Sequence, residues 1–569
     1  MTAPATRRSW VSLLLPGLSQ FQQYETGWLR ADLTAGLTVA AYLVPQAMAY
    51  ATLAGVSPVA GLWATLVPLA AYAVLGSSRQ LSVGPDASTT AMTAATLAPI
   101  AGGDDTRYAA SAAVLAVLVG VTCLVGGIAR LGFLANLLSR PILIGYMAGI
   151  ALVMIAGQLG KITGTELTGN EFIWQTGSFV AHLADVHWPT LALASAVVAV
   201  QLVLSKREAH IPGPLIAVAL ASAAVVLFSL QARGITVIGP VPSGLPGLGI
   251  PGLHFGDLLP LLLPAAGIAI VAFSDAVVTA RVFAARTGQE IDASAEMRAL
   301  GVCNLGAGLA SGFPVSASGS RTAISHSLGS RTQLASLTTL AVVLLVLTFG
   351  GGLLSAVPMA ALGALVLVAA VQLIDVSEFR RLAQFRRSEL ILAFATTVAV
   401  LGFGVLYGVL AAVALSILDL LRRVARAHDS VLGIVPGLPG MHDIDDYPQA
   451  ELVPGLVVYR YDAPLCFANA EDFRRRALQA VAAYPQPVEW FVLNAEANSE
   501  VDLTALDAVD RLRVDLARRG IRFGMARVKQ DLRDALQAAG ILDAIGDEHI
   551  YPTLPTAVAA FRQRDGTQA

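Results

Sequence analysis

The chain has 569 residues, 55% of them hydrophobic and 13% charged, with a formal net charge of −2 and a mean hydropathy of +0.67. Soluble domains are about one quarter charged, so this composition excludes an ordinary soluble protein. Cys123, Cys303 and Cys466 stand too far apart in sequence to read as a disulfide framework or a zinc site.

The N-terminus, MTAPATRRSWVSLLLPGLSQFQQY, places basic residues before a short apolar stretch. A signal peptide is the rival reading. The apolar stretch is too short, Pro16-Gly17 ends it, and no small-residue cleavage site follows. Residues 1–30 are therefore read as a cytoplasmic N-terminal segment.

The first predicted span contains AAYLVPQAMAYATLAGVSP, in which Pro45-Gln46 interrupts an apolar helix. A proline-led, hydroxyl-rich segment follows, SVGPDASTTAMTA. Next come VLAVLVGVTCLVGGIA and IALVMIAGQL, then IVAFSDAVVTARVF, with Ser274-Asp275 in its middle. GFPVSASGSRTAI is the second proline-led segment, and TTLAVVLLVLTFGGGLL and LILAFATTVAVLGFGVLYGVLAAVALSILDLL close the apolar region. A bilayer-spanning helix needs about 20 mostly apolar residues, so this is a polytopic α-helical membrane protein of twelve to fourteen spans. Arg7, Arg8 and Arg30 lie before or at the first span, and Arg422, Arg423 and Arg426 follow the last. Excess arginine marks the cytoplasmic side, so both termini are expected there and the number of spans is even.

Pro45 stands as far from Ser274 along the chain as Pro85 stands from Pro314. A polar-interrupted helix and a proline-led segment thus recur in the same order at one offset, which reads as an internal repeat, about 31–230 and 255–424. With seven spans per half, the second copy is inverted. Interrupted segments at matching places in two halves point to a transporter's central site. A helix that starts inside the membrane leaves its first N–H groups without partners. Such backbone is tolerated only where it is buried in protein or lines a cavity. Two half-helices, near Asp86 to Thr90 and Ser318 to Arg321, would aim positive ends at one spot, and Arg321 adds a full charge. That is an anion site.

Near residue 424 the composition changes. A linker is expected over 425–452, an α/β domain over 453–562 and a tail over 563–569. GLVVYRYD, EWFVLNAE and IRFGMARV read as strands, and NAEDFRRRALQAVAAY and DLTALDAVDRLRVDLARRG as helices. The alternation suggests an open-sheet α/β fold.

These segments carry a family resemblance. VPQAMAYATLAGVSPVAGLW, GSSRQLSVGPDAS and GFPVSASGSRTAI resemble signature segments of the SulP family of sulfate permeases and anion transporters, which includes prestin. YRYDAPLCFANAEDFRRR and VLNAEANSEVDLTALDAV resemble its cytoplasmic STAS domain. The resemblance implies a transmembrane domain over 31–424 with fourteen segments in a seven-plus-seven inverted repeat. It also implies core and gate domains as in uracil permeases, an elevator-like movement and a homodimer. It assigns Gln46 and Tyr50 to the substrate and places Ala87 and Ser88 at the start of the third span, where backbone N–H groups meet the anion. Ser318, Gly319 and Ser320 fall at the start of the tenth, and Arg321 behind it. Asp275 takes the acidic position of the eighth span, used in relatives for cation coupling. Thr279, one turn on, matches a sodium-ligand position of bicarbonate-transporting members.

Asp86 departs from the pattern, because a carboxylate at a helix N-terminus competes with an anionic substrate. Thr504 falls where related regulatory domains carry a phosphorylatable serine. Glu290, Asp292 and Glu296 are read as a solvated turn. Arg79 and Arg140 are read as anchors, EFRRLAQFRRSEL as an interfacial linker, and His182, His187 and His210 as no ligand cluster.

The expected function is secondary active transport of a small inorganic oxyanion, sulfate first, coupled to protons or sodium. Bicarbonate or dicarboxylate transport, exchange and a passive channel stay open. A signalling receptor acting mainly through the STAS domain is a further rival. No HExxH or GxGD pattern is present, so no enzyme is expected. Neither is a cofactor or a nucleic-acid partner. The expected setting is the cell membrane, with cytoplasmic partners open to the chain through the STAS domain.

Overall fold

The computed structural model describes residues 15–22, 24–98, 104–132, 139–167, 172–205, 212–240, 244–249 and 255–563. Arg7, Arg8, His210 and the tail from 564 lie outside the described residues. The chain divides into two compact units, one ending at Ser416 and the other beginning at Ile417.

The first unit is helical. Its principal helices are α1 (Leu29–Leu53), α2 (Pro58–Leu75), α3 (Ala87–Leu97), α4 (Asp105–Ile128), α5 (Arg140–Thr163), α6 (Trp188–Ser205) and α7 (Gly213–Leu227). Then follow α8 (Phe255–Thr287), α9 (Ala293–Leu309), α10 (Gly319–Ser327), α11 (Leu334–Phe349), α12 (Met359–Leu373) and α13 (Arg387–Ala425), which runs on past the end of the unit at Ser416. Prolines open α2, α5 and α7 in their first turn, where the missing N–H costs nothing. Helix α13 is broken at Gly404, whose φ of 82° and ψ of 167° end one helical limb and begin another. Counting both limbs, these principal helices make fourteen segments, with further helices such as Phe172–Ala181 and Val376–Phe385 between them. Among the described residues, six helices are long and apolar enough to cross a membrane by length and composition. Others are too short: α3 and α10 have 11 and 9 residues, about 16 and 14 Å at 1.5 Å per residue.

Packing sorts the helices into two groups, each drawing on both halves of the chain. Helix α9 lies against α4 and α2, α11 against α1 and α2, and α8 against α4. In the other group α12 packs on α5 and α6, and α6 on α7, while α1 also packs on α12 and α7 across the groups. The first group is held tightly. A Cβ on Gly61 of α2 would sit 1.9 Å from the carbonyl oxygen of Ala47 in α1, so only glycine lets these backbones meet.

Two short strands precede the short helices, β1 (Val83–Gly84) before α3 and β2 (Ser316–Ala317) before α10. The repeat is therefore present, but its offset is not the one that relates the prolines. The helix starts Ala87 and Gly319 lie slightly further apart in the chain than Pro85 and Pro314 do. Pro85 follows its strand, whereas Pro314 precedes its strand. Matched prolines thus occupy unlike places, because proline suits either side of a short extended segment.

The second unit is α/β. Its six-stranded sheet contains β3 (Asp429–Ile434), β4 (Met441–Asp443), β5 (Leu456–Tyr461), β6 (Trp490–Asn494), β7 (Arg522–Ala526) and β8 (Ile550–Tyr551), in the order β4-β3-β5-β6-β7-β8. Strand β3 is antiparallel to both neighbours, and β5 to β8 run parallel. Helices α14 (Ala470–Ala483), α15 (Leu503–Arg518), α16 (Gln530–Ala538) and α17 (Leu554–Gln563) cover it. Apolar clusters on both faces explain why all five β6 side chains are buried. Thr504 is exposed in the first turn of α15, beside Asp502, which accepts from the Ala505 amide at 2.8 Å and the Phe467 amide at 2.6 Å.

Candidate functional site

The two broken helices begin side by side. Strands β1 and β2 pair antiparallel, Val83 opposite Ala317 and Gly84 opposite Ser316. The Ser318 amide extends the ladder by donating to the Ser82 carbonyl at 2.9 Å. In return the Ser82 amide donates to Thr322 Oγ1 at 3.0 Å, and that hydroxyl donates to the Ser318 carbonyl at 2.7 Å. The polar backbone between the short helices is thus paired internally, as buried backbone requires.

Strand β2 is pinned from outside as well. Asn304 of α9 accepts from the Val315 amide at 2.9 Å and donates to its carbonyl at 3.0 Å. Ser316 Oγ donates to the Ala272 carbonyl of α8 at 3.1 Å. Helices α1, α3, α8 and α10 meet around the pair.

Arg321 fills the middle. It is only 1% exposed. Its Nε donates to Ser82 Oγ at 3.3 Å and its Nη1 to the Pro85 carbonyl at 3.1 Å. Nη2 is buried without a hydrogen-bond partner. It lies against Gly84, where a Cβ would be 3.4 Å away. Other buried polar atoms in the surrounding helices also lack partners, among them Gln46 Oε1 of α1, Thr90 Oγ1 of α3 and Ser274 Oγ of α8. Such orphans are rare in proteins and call for an explanation.

The remaining expected residues fall in the same neighbourhood. Tyr50 is buried within electrostatic reach of Asp86 and Arg321. Asp86 lies within reach of Arg321 and of Asp275. Thr279 Oγ1 is 4.0 Å from where a Cβ on Gly319 would sit, which places it at the tip of α10. Gly319 and Ser320 are exposed although Ser318 and Arg321 beside them are buried, so this tip opens to solvent.

The tips differ in one respect. Asp86 caps α3: its Oδ2 accepts from the Ser88 amide at 3.3 Å and from Ser88 Oγ at 3.2 Å. The Ser88 donors are therefore engaged with a carboxylate. At α10 the Ser318 amide is used in the ladder, and Ser318 Oγ and Ser320 Oγ share a bond at 3.2 Å. By helix geometry the amides of Gly319, Ser320 and Arg321 are the donors lacking an acceptor within the helix.

Sequence reasoning missed the supports. Glu296, expected on a solvated turn, is buried at 1% exposure. Asp292 caps α9, so Glu296 falls one turn inside, facing α2. Its carboxylate accepts from Tyr72 Oη and from Ser77 N and Oγ, each at 2.7 Å, and so anchors the loop into β1. Glu290 and Asp292 are exposed. Asp32, fully buried in the first turn of α1, accepts from Thr332 Oγ1 at 2.6 Å and the Arg331 amide at 2.7 Å. Gln333 donates to the carbonyls of Ser78 and Leu81, each at 3.0 Å. The available signal was an isolated polar residue within an apolar stretch. Arg140 does serve as an anchor, paired with Glu378 at 2.8 Å.

A multi-pass helical bundle in which two short helices start beside a pair of two-residue strands, followed by an α/β domain, defines a polytopic membrane protein. The profile of the sulfate permease family matches residues 29–396, and that of the STAS domain matches residues 447–557. "Probable sulfate transporter Rv1739c" of Mycobacterium tuberculosis is 65% identical over 549 residues, 96% of this chain and 98% of the relative. "Sulfate transporter 4.1, chloroplastic" of Arabidopsis thaliana is 29% identical, covering 97% of this chain and 83% of its own. The fold matches the murine Slc26a9 anion transporter in the inward-facing state with a TM-score of 0.89 at 22% identity, over 98% of this chain and 95% of that one. It also matches the transmembrane domain of the cyanobacterial bicarbonate transporter BicA, with a TM-score of 0.61 at 23% identity, over 69% of this chain and 98% of that one. The protein belongs to the sulfate permease (SulP) family and carries a C-terminal STAS domain.

Proposed function

We propose that the protein is a secondary active transporter of a small inorganic oxyanion, with sulfate its principal substrate. The observation that carries this reading is the joined pair of helix tips with Arg321 beneath them. A helix N-terminus offers oriented N–H donors and roughly half a positive charge, and the guanidinium adds a whole one. The relative at 65% identity bears the name of a sulfate transporter, which favours sulfate over bicarbonate or a dicarboxylate.

In this reading the oxyanion sits on the α10 tip, taking amides from Gly319 and Ser320 and a hydroxyl from Ser320. Ala87 and Ser88 close it from α3, and Gln46 and Tyr50 flank it. The orphaned polar atoms are the positions that substrate and water would satisfy. Asp275, with Asp86 nearby, is the cation-coupling group. A proton, or a sodium ion shared with Thr279, offsets the repulsion that two carboxylates exert on an incoming anion. The paired strands and their supports from α9 and α11 move as one body against the α5–α7 and α12–α13 group, an elevator-like step. Both termini face the cytoplasm, and the protein acts as a homodimer, with the STAS domain open to cytoplasmic partners.

The test is uptake of radiolabelled sulfate into proteoliposomes, with pH and sodium gradients imposed separately and bicarbonate, dicarboxylates and chloride as competitors. Accumulation driven by one of the gradients is expected. Uptake that neither gradient drives would remove the coupling assignment. Failure of sulfate to enter while another anion does would replace the substrate.

A further inference from the structure

A cavity of about 530 Å³ opens at the end of the membrane unit where α1 and α5 finish, a size typical of ligand pockets, ~300–1,000 Å³. It is lined by Lys161, Glu166, Gln175, His187, Thr190 and Gly234, among others. None of these belongs to the joined helix tips.

Lys161 is the cation here. Its stem is half-buried, and its ammonium donates to the main-chain carbonyl of Thr52 at 2.7 Å. That carbonyl ends α1, where the helix carries partial negative charge. An ammonium has three donors, so two are left for the cavity. His187 is fixed by a 2.6 Å bond between Nδ1 and Thr190 Oγ1. Its other ring nitrogen turns toward Gly234, 3.5 Å from where a Cβ would sit. Gly234 has a φ of +89°, so a side chain is disfavoured there and the ring edge stays clear. Glu166 is exposed and so solvated on the rim. Lysine, histidine and glutamine around one cavity form a donor set suited to a tetrahedral oxyanion.

We propose that this cavity is a second, weaker oxyanion site, a docking station that substrate occupies at the membrane face before or after the central site. The inference rests on the anion-transport reading above. With both termini cytoplasmic, the cavity faces outward. Lys161 joins α5 of one helix group to α1 of the other, so an anion drawing the ammonium away from Thr52 also loosens a bond between the groups.

The experiment is equilibrium binding of radiolabelled sulfate to the purified full chain in detergent. Wild type is expected to show two classes of site. Lys161→Gln should weaken the weaker class by about tenfold, the loss of one charge-assisted hydrogen bond, and leave the tighter class in place. Lys161→Arg should retain both. His187→Gln, which leaves the α1 contact intact, should weaken the same class alone. If Lys161→Gln loses both classes, His187→Gln decides, and its failure to weaken one class alone overturns the proposal. A single class in wild type, indifferent to both substitutions, overturns the docking site and leaves central transport standing. No sulfate binding by wild type overturns the transport reading itself.

Discussion

The Ser318 amide donates to the Ser82 carbonyl at 2.9 Å, joining residues from opposite halves of the chain. This bond and the two-residue ladder beside it make one object of two half-helices. Neither strand is long enough to be stable alone. Their pairing holds because Asn304, Thr322 and Arg321 satisfy the backbone around it.

Arg321 is the first test of that object. Its Nε and Nη1 span Ser82 Oγ and Pro85 O. Arg321→Met should lower initial sulfate uptake by at least about tenfold, the scale of a charged hydrogen bond. Arg321→Lys should not restore it, because an ammonium cannot reproduce the fork. Uptake rates in proteoliposomes at equal protein density check both.

Asp275 is expected to govern coupling more than binding. Asp275→Asn should abolish the dependence of accumulation on the driving gradient while equilibrium sulfate binding persists. Thr279→Val separates the ions: it should cut sodium-driven uptake and spare proton-driven uptake. Unchanged accumulation in Asp275→Asn would remove the coupling assignment.

Gly61→Ala tests the packing behind Gln46. The new methyl would sit 1.9 Å from the Ala47 carbonyl, and backbone there cannot give way cheaply. The α1 and α2 axes must separate, at a cost of about 1–3 kcal/mol. Thermal unfolding in detergent should show a lower midpoint than wild type. Gly177→Ala, where nothing lies within 4 Å, is the control and should not lower it.

Much of this arrangement was legible in sequence, for physical reasons. Apolar runs announced the spans, and Pro45-Gln46, Asp86 and Ser318–Arg321 stood out because polar groups are costly in lipid. Strands β5, β6 and β7 were legible from β-branched and aromatic residues. The ladder itself was not, since two-residue strands leave no periodic signal. The proline spacing therefore set the repeat slightly out of register with the helix starts. Glu296 was read as solvated because sequence shows neither the cap at Asp292 nor the Tyr72 hydroxyl that awaits it. Nor does sequence show that Asp86 accepts from the Ser88 amide and hydroxyl. In the second unit β3, β4 and β8 escaped notice, being short or bordered by charges.

A pH dependence is expected in the second unit. His428 Nε2 bonds to Asp443 Oδ2 at 2.9 Å. This hydrogen bond raises the His428 pKa above the ordinary histidine value, outweighing its partial burial. A folded-state pKa above the unfolded one contributes stability in full below the unfolded value, ~6.5. The contribution is lost as pH rises through the folded value. The second unit should therefore unfold at a lower temperature at pH 8.5 than at pH 6, and His428→Gln should shrink that difference. Thermal melts of the full chain at the two pH values measure it. An equal difference in the variant would assign the dependence elsewhere.

The most direct measurement is a density map of the full chain with bound selenate, a heavier analogue of sulfate. The oxyanion is expected at the joined tips, within hydrogen-bonding distance of the Gly319 and Ser320 amides and close to the start of α3. Tips left empty while selenate binds elsewhere, or tips drawn apart with β1 and β2 unpaired, would contradict the central anion site.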